Sequence, residues 1–231
     1  MKVSEYIYQV RGLLNDLVKP FGWSDVELAI ATDEAYREMA RRTRCIKDRP
    51  TTTGSRVMCT IPIVKDQAEY THHAKILDIY SVKHSALTSP LTKVSEAELD
   101  IYYSNWWNIT SKYPTYYIIG RTPREIRLVA IPNEAGTGNL LLSISRMPLI
   151  SLLPYTDANN LEPVDLRDEW HHFLIPYILY KAYSKDDIET RNDKKAAENL
   201  NLWEDKVDQV KRDMIRYYRE DRAFAPPGGV L

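Results

Sequence analysis

The chain has no apolar run long enough to span a bilayer, only two cysteines, and no surplus of basic residues. Each shortage excludes a class of function. A membrane-spanning helix needs about 20 largely apolar residues. The first nineteen residues are interrupted by Lys2, Glu5, Arg11, Asn15 and Asp16, so they hold no apolar signal core either. Cys45 and Cys59 stand in separate segments and read as two reduced thiols, with a bridge between them as the alternative. Lys and Arg number 31 against 32 Asp and Glu, for a formal charge of −1. A dedicated nucleic-acid binder would carry a basic excess gathered into a patch. A protein through which DNA merely passes is not excluded.

Catalytic motifs are missing as well. There is no Gly-x-Ser-x-Gly, no glycine-rich phosphate loop before a helix, no Cys-x-x-Cys and no Gly-x-Gly-x-x-Gly. Gly136-Thr137-Gly138 lies between two expected strands and reads as a hairpin turn. His72-His73 and His171-His172 are adjacent pairs, whose side chains diverge on either a strand or a helix. Helical metal sites want spacings of four, and no His-Glu-x-x-His occurs. These histidines are expected at the surface or the edge of the core. Asp186-Asp187 and Glu220-Asp221 read as solvated helix ends. The expectation is a protein with no catalytic residues, no cofactor and no metal.

What is present is an ordinary globular composition, 44% hydrophobic and 27% charged, with sixteen tyrosines and five tryptophans. Val3, Tyr6, Ile7, Val10, Leu13, Leu14, Leu17 and Val18 recur at steps of three and four, which predicts a first helix broken by Lys19-Pro20-Phe21-Gly22. Ser24-Asp25-Val26-Glu27 is a capping box, and the helix it opens runs to about Thr43, with Leu28, Ala31, Ala35 and Met39 on one face. From about Arg56 to Met147 the pattern turns to strands: 57–64, 74–82, a hairpin of 116–119 with 126–131, and 140–146, where Leu140, Leu142 and Ile144 alternate with more polar neighbours. Ser95-Glu96-Ala97-Glu98 starts a short helix. The aromatics, Trp106-Trp107 and Tyr116-Tyr117 among them, suit either an oligomer interface or the core of this module.

Helix returns with Trp170, Phe173, Leu174, Tyr177, Ile178 and Ala182, kinked or left with one unpaired carbonyl at Pro176. From about Thr190 to Arg222 a last helix carries Leu200, Trp203, Val207, Val210, Met214 and Tyr217 as a heptad seam. Asp208 precedes Arg212 by one turn as a favourable pair. The final segment, with Phe224, Pro226, Pro227, Val230 and Leu231, cannot be helical and is the candidate docking segment, a frayed end being the alternative. The expected fold is α+β. A helical bundle is formed by residues 1–55 and 151–222, an antiparallel β module is inserted at 56–150, and 223–231 is an extended tail.

The order of these features resembles a known family. The matching stretches are Val10-Arg11-Gly12-Leu13-Leu14-Asn15-Asp16, Trp23-Ser24-Asp25-Val26-Glu27-Leu28, and the helix containing Asp33-Glu34-Ala35. Further on come Leu91-Thr92-Lys93-Val94-Ser95, Glu98-Leu99-Asp100 and Tyr103-Ser104-Asn105-Trp106. The last are Trp170-His171-His172-Phe173-Leu174 and Leu179-Tyr180-Lys181-Ala182-Tyr183. Together they resemble the head-to-tail adaptor proteins beneath the portal of tailed phages, particularly short-tailed ones. Where relatives often open the third helix with Tyr-His, this chain has Trp170-His171. The resemblance implies a non-enzymatic virion protein, made in the host cytoplasm and located in the neck between capsid portal and tail. It implies a homo-oligomeric ring of about twelve copies, bound to portal and to tail or nozzle proteins, with DNA passing through its lumen unread and no membrane contact. Another neck or tail component, such as a stopper or tail-tube protein, is the first alternative. A non-viral helix–β–helix enzyme or regulatory module is the second.

Overall fold

The computed structural model describes residues 1–51, 57–103, 105–120, 122–136, 138–156, 158–185 and 191–223, the last six of these by backbone alone. In chain order the first elements are α1 (Val3–Leu14), α2 (Asp25–Thr43), β1 (Lys47–Asp48), β2 (Thr60–Pro62), β3 (Glu69–Thr71), β4 (Ile76–His84) and β5 (Thr92–Lys93). Then follow α3 (Glu96–Tyr102), β6 (Thr110–Ser111), β7 (Tyr116–Ile119), β8 (Glu125–Val129), β9 (Ile131–Pro132) and β10 (Asn139–Arg146). Last come α4 (Ile175–Tyr183) and α5 (Asp193–Ala223). The fold is mixed α+β. Two compact units divide it, one of Met1–Ile46 with Met147–Leu231, the other of Lys47–Arg146. The second unit begins at Lys47, ahead of residue 56, because Lys47 and Asp48 pair with Ser145 and Ile144.

In the helical unit α1 buries Val3, Tyr6, Ile7 and Val10. The expected stripe stops there: Asn15 adopts a left-handed conformation at φ 57°, and Leu17 and Val18 lie past the helix end, exposed. A buried polar knot makes that stop. Arg11 donates to Asp16 at 2.5 Å, to the Trp23 carbonyl at 2.8 Å and to Asp25 at 2.6 Å, and its guanidinium lies 3.7 Å from the centre of the Phe21 ring. Asp16 in turn accepts from the Gly22 amide. Burying a guanidinium is tolerated only when its donors are met, and here the turn between α1 and α2 meets them. α2 opens on the expected capping box, Ser24 accepting from the Glu27 amide and Glu27 from the Ser24 amide. The Glu27 carboxyl is held below the usual range by its bond to Lys185 and then by this cap.

Before α4 the chain runs as a 3₁₀ turn from Asp168 to Leu174, and Pro176 falls in the first turn of α4. Its missing N–H would have had no intrahelical partner there, so neither the expected kink nor an orphan carbonyl arises at Pro176. α5 is 31 residues long. It buries Trp203, Val207 and Val210, while Leu200, Met214 and Tyr217 pack half-buried against the same cluster. That cluster also takes Trp170, Leu174 and Ile178 and the inner faces of α1 and α2. Asp208 bonds Lys211 at 3.0 Å rather than Arg212, three residues being as close on a helix surface as four.

In the sheet unit β10 is the hub. It pairs antiparallel with β4 on one side and with β1 and β2 on the other. Its Leu140, Leu142 and Ile144 are buried with Val82, Ile126 and Leu128. Of the strand expected over 57–64 only Thr60–Pro62 forms, and Val57 sits exposed in a turn. A second sheet runs β3-β8-β7-β5, with β7 and β8 as the expected hairpin. The module is not purely antiparallel. β5 lies parallel to β7, and β6 parallel to β9, because α3 in one case and the β7–β8 hairpin in the other supply the crossover that parallel pairing demands. Asp48 and Arg146, both buried, form an ion pair at the end of β10.

Gly138 closes the glycine-rich turn at φ +134°, where a Cβ would stand 2.2 Å from the Ser85 Oγ. Neither phosphate binding nor a hairpin explains this glycine. β9 and β10, which flank it, do not pair with each other among the described residues; the positive φ calls for glycine, and the close approach of Ser85 adds to that.

Candidate interaction surfaces

The docking segment singled out from sequence, Phe224, Pro226, Pro227, Val230 and Leu231, lies outside the described residues. The α5 seam is inside the helical core, as given above. Of the histidines, His72 and His73 sit on the sheet unit's surface loops, while His171 is deeply buried. Its Nδ1 lies 2.8 Å from the Met1 amino group and its Nε2 bonds the Leu166 carbonyl at 3.1 Å. An ammonium donating to Nδ1 leaves the ring proton on Nε2, pointing at that carbonyl. So His171 is a core residue rather than one at the core's edge. Among the described residues no group of three or more His, Cys, Asp or Glu is placed to hold a metal. Both cysteines are free, and burial pushes the Cys45 thiol up, away from reactive thiolate.

Within the sheet unit most of the aromatics fall at 102–117. Ser95 caps α3 with Glu98, as its sequence suggests. After α3 a left-handed Asn105 turns the chain into a short 3₁₀ segment, Trp106–Asn108. This turn splits the tryptophan pair. Trp106 goes inward and donates from its indole to Asp100 at 2.8 Å, while Trp107 stays about half exposed, edge-on to it at 5.8 Å. The Arg127 guanidinium lies 5.3 Å from the centre of the Trp106 ring and pairs with Glu69.

Beside Trp106 opens a hollow of about 260 Å³, walled by Leu99, Tyr103, Trp106, Tyr113, Tyr116 and Val129. Tyr103 is hydrogen-bonded to Tyr116, which pushes its phenol up. No Asp, Glu, His, Lys or Arg side chain lines the hollow, and its aromatic walls suit apolar contact and stacking. Exposed Ile101, Tyr102 and Ile109 stand in the same segment. In the helical unit Tyr8, Leu13, Leu17, Val18 and Val26 are likewise exposed. Scattered single apolar residues are normal on a surface; grouped ones mark contact sites. The hollow was not legible in the sequence, which showed only the density of aromatics at 102–117.

A family model described as SU10 adaptor protein matches residues 1–228. The chain belongs to that family. It is a family of phage head-to-tail adaptors, as the collinear motifs implied. No curated protein matches the chain. The matched span takes in both units of the adaptor, so the sheet unit is part of what the family shares. Membership makes the adaptor a viral structural protein.

Proposed function

We propose that this adaptor is one subunit of a closed ring, of about twelve copies, that docks beneath the portal, extends the DNA channel and offers a platform to tail or nozzle proteins. The family match over nearly the whole chain carries this reading. In it the N- and C-terminal helices act as one bundle, and the sheet unit is an insertion that enlarges the subunit's contact surface. A ring closed by rotation needs two different complementary faces on every subunit, and exposed apolar side chains on both units support that supply. The charge of −1 fits a lumen through which DNA slides without being gripped or read. The subunit works without catalysis, cofactor or membrane, in the virion neck, after synthesis in the host cytoplasm.

Sedimentation and electron microscopy of the purified chain, with and without the portal of the same phage, test this. The expected outcome is a monomer or small oligomer alone and a ring on the portal. An obligate tight dimer that ignores the portal would overturn it, and stacked tubes formed without portal would favour a tail-tube role.

A further inference from the structure

Two features of the adaptor match each other chemically. One is the hollow beside Trp106, walled by the rings of Tyr103, Trp106, Tyr113 and Tyr116 and carrying no ionised group. The other is the eight-residue stretch after α5, Phe224-Ala225-Pro226-Pro227-Gly228-Gly229-Val230-Leu231, which has no charged side chain. Consecutive prolines favour the polyproline II conformation, which has no internal hydrogen bonds and little entropy left to lose on docking. Aromatic-lined grooves are the usual receptors for such segments, because pyrrolidine rings pack flat on aromatic faces. At about 260 Å³ the hollow is smaller than a typical small-molecule site of about 300–1,000 Å³, and suits one or two side chains. Fully extended, eight residues reach at most about 25–30 Å past Ala223.

We infer that the hollow is the seat for the Phe224–Pro227 stretch of a neighbouring copy, so that each subunit is strapped to the next. The neighbour, rather than the subunit's own tail, follows from the ring reading above and rests on it. A strap of this kind buries apolar surface only once the ring is assembled, which keeps free subunits from locking together early.

Full-length chains carrying Ser111→Cys, at the hollow, and Gly228→Cys, which leaves both prolines in place, are mixed with portal under mild oxidation. A disulfide joining one variant to the other is expected. If instead a chain bearing both substitutions closes only on itself, or if no bridge forms in either case, the neighbour's seat is refuted. A peptide of residues 222–231, titrated against the full chain by tryptophan fluorescence, provides a second readout. Tyr103→Ala is expected to weaken its binding about tenfold, the scale of one aromatic contact. Replacing both prolines by alanine should weaken it comparably, and equal binding would count against the seat. Sedimentation reads ring formation separately. A ring without the bridge sinks the strap and leaves the proposed function standing; a bridge without a ring does the reverse.

Discussion

His84 shows how one side chain ties the sheet unit to pH. It ends β4 fully buried, accepts the Ala86 amide at Nδ1 at 3.0 Å, and packs edge-on against Tyr113 at 5.4 Å. With Nδ1 accepting, the proton of the neutral ring sits on Nε2, which has no hydrogen-bond partner among the described residues. Burial therefore holds the imidazole below its usual value of 6.5, and burial has the same effect at His72. In the unfolded chain both rings protonate near the usual value. The unfolded state thus binds more protons as pH falls, and stability is lost below about pH 6.5 until the depressed native value is reached. Denaturant titrations at about pH 7.5 and pH 5.5 should show lower stability at the acid pH, and His84→Gln should shrink that difference. An unchanged pH slope in the variant would show that His84 does not titrate as argued.

Elements were legible wherever a local device set their ends. Ser24 and Ser95 each precede a Glu by three residues, and both cap helices as that spacing implies. Local reading failed where distant partners decided. Leu17 and Val18 continue the period of α1, yet Arg11, Asp16 and Asp25 close the turn before them. α5 is the longest element and lends Trp203, Val207 and Val210 to the helical core. Val207 is wholly buried between Trp203 and Val210 on its inner face. Val207→Asp should cost about 3–5 kcal/mol, the scale of an uncompensated buried charge, against a total of about 5–15 kcal/mol for a small domain. Circular dichroism during denaturation checks it, and a variant with the parent's melting temperature would mean that this face of α5 bears little of the core's stability.

At the scale of the molecule the two units have separate hydrophobic clusters. The sheet unit leaves and rejoins the helical chain at adjacent positions, because Lys47 is paired across the ladder with Ser145. Paired antiparallel residues stand about 5 Å apart at Cα, so Ile46 and Met147 can be joined by a short Gly-Ser linker. The excised chain should keep a cooperative helical melt, and the fragment 47–146 should fold with a sheet spectrum of its own. Aggregation or a non-cooperative melt in both pieces would show that neither core suffices alone.

The order helix, strand, helix and the capping boxes were settled by sequence, because each depends on residues within a turn or two of one another. The same holds for the two faces of β10, where Leu140, Leu142 and Ile144 alternate with their neighbours. The family motifs, too, were in the sequence. Only the tertiary structure placed β5 alongside β7 in parallel, turned Trp106 inward and Trp107 outward, and enclosed the hollow between α3 and β7. Those features are made by residues far apart in the chain, and their pairing is decided by which surfaces can be buried together, a quantity that no local pattern carries. Gly138 is the smallest instance: to the demand of its own φ of +134° the fold adds the close approach of Ser85, fifty-three positions earlier.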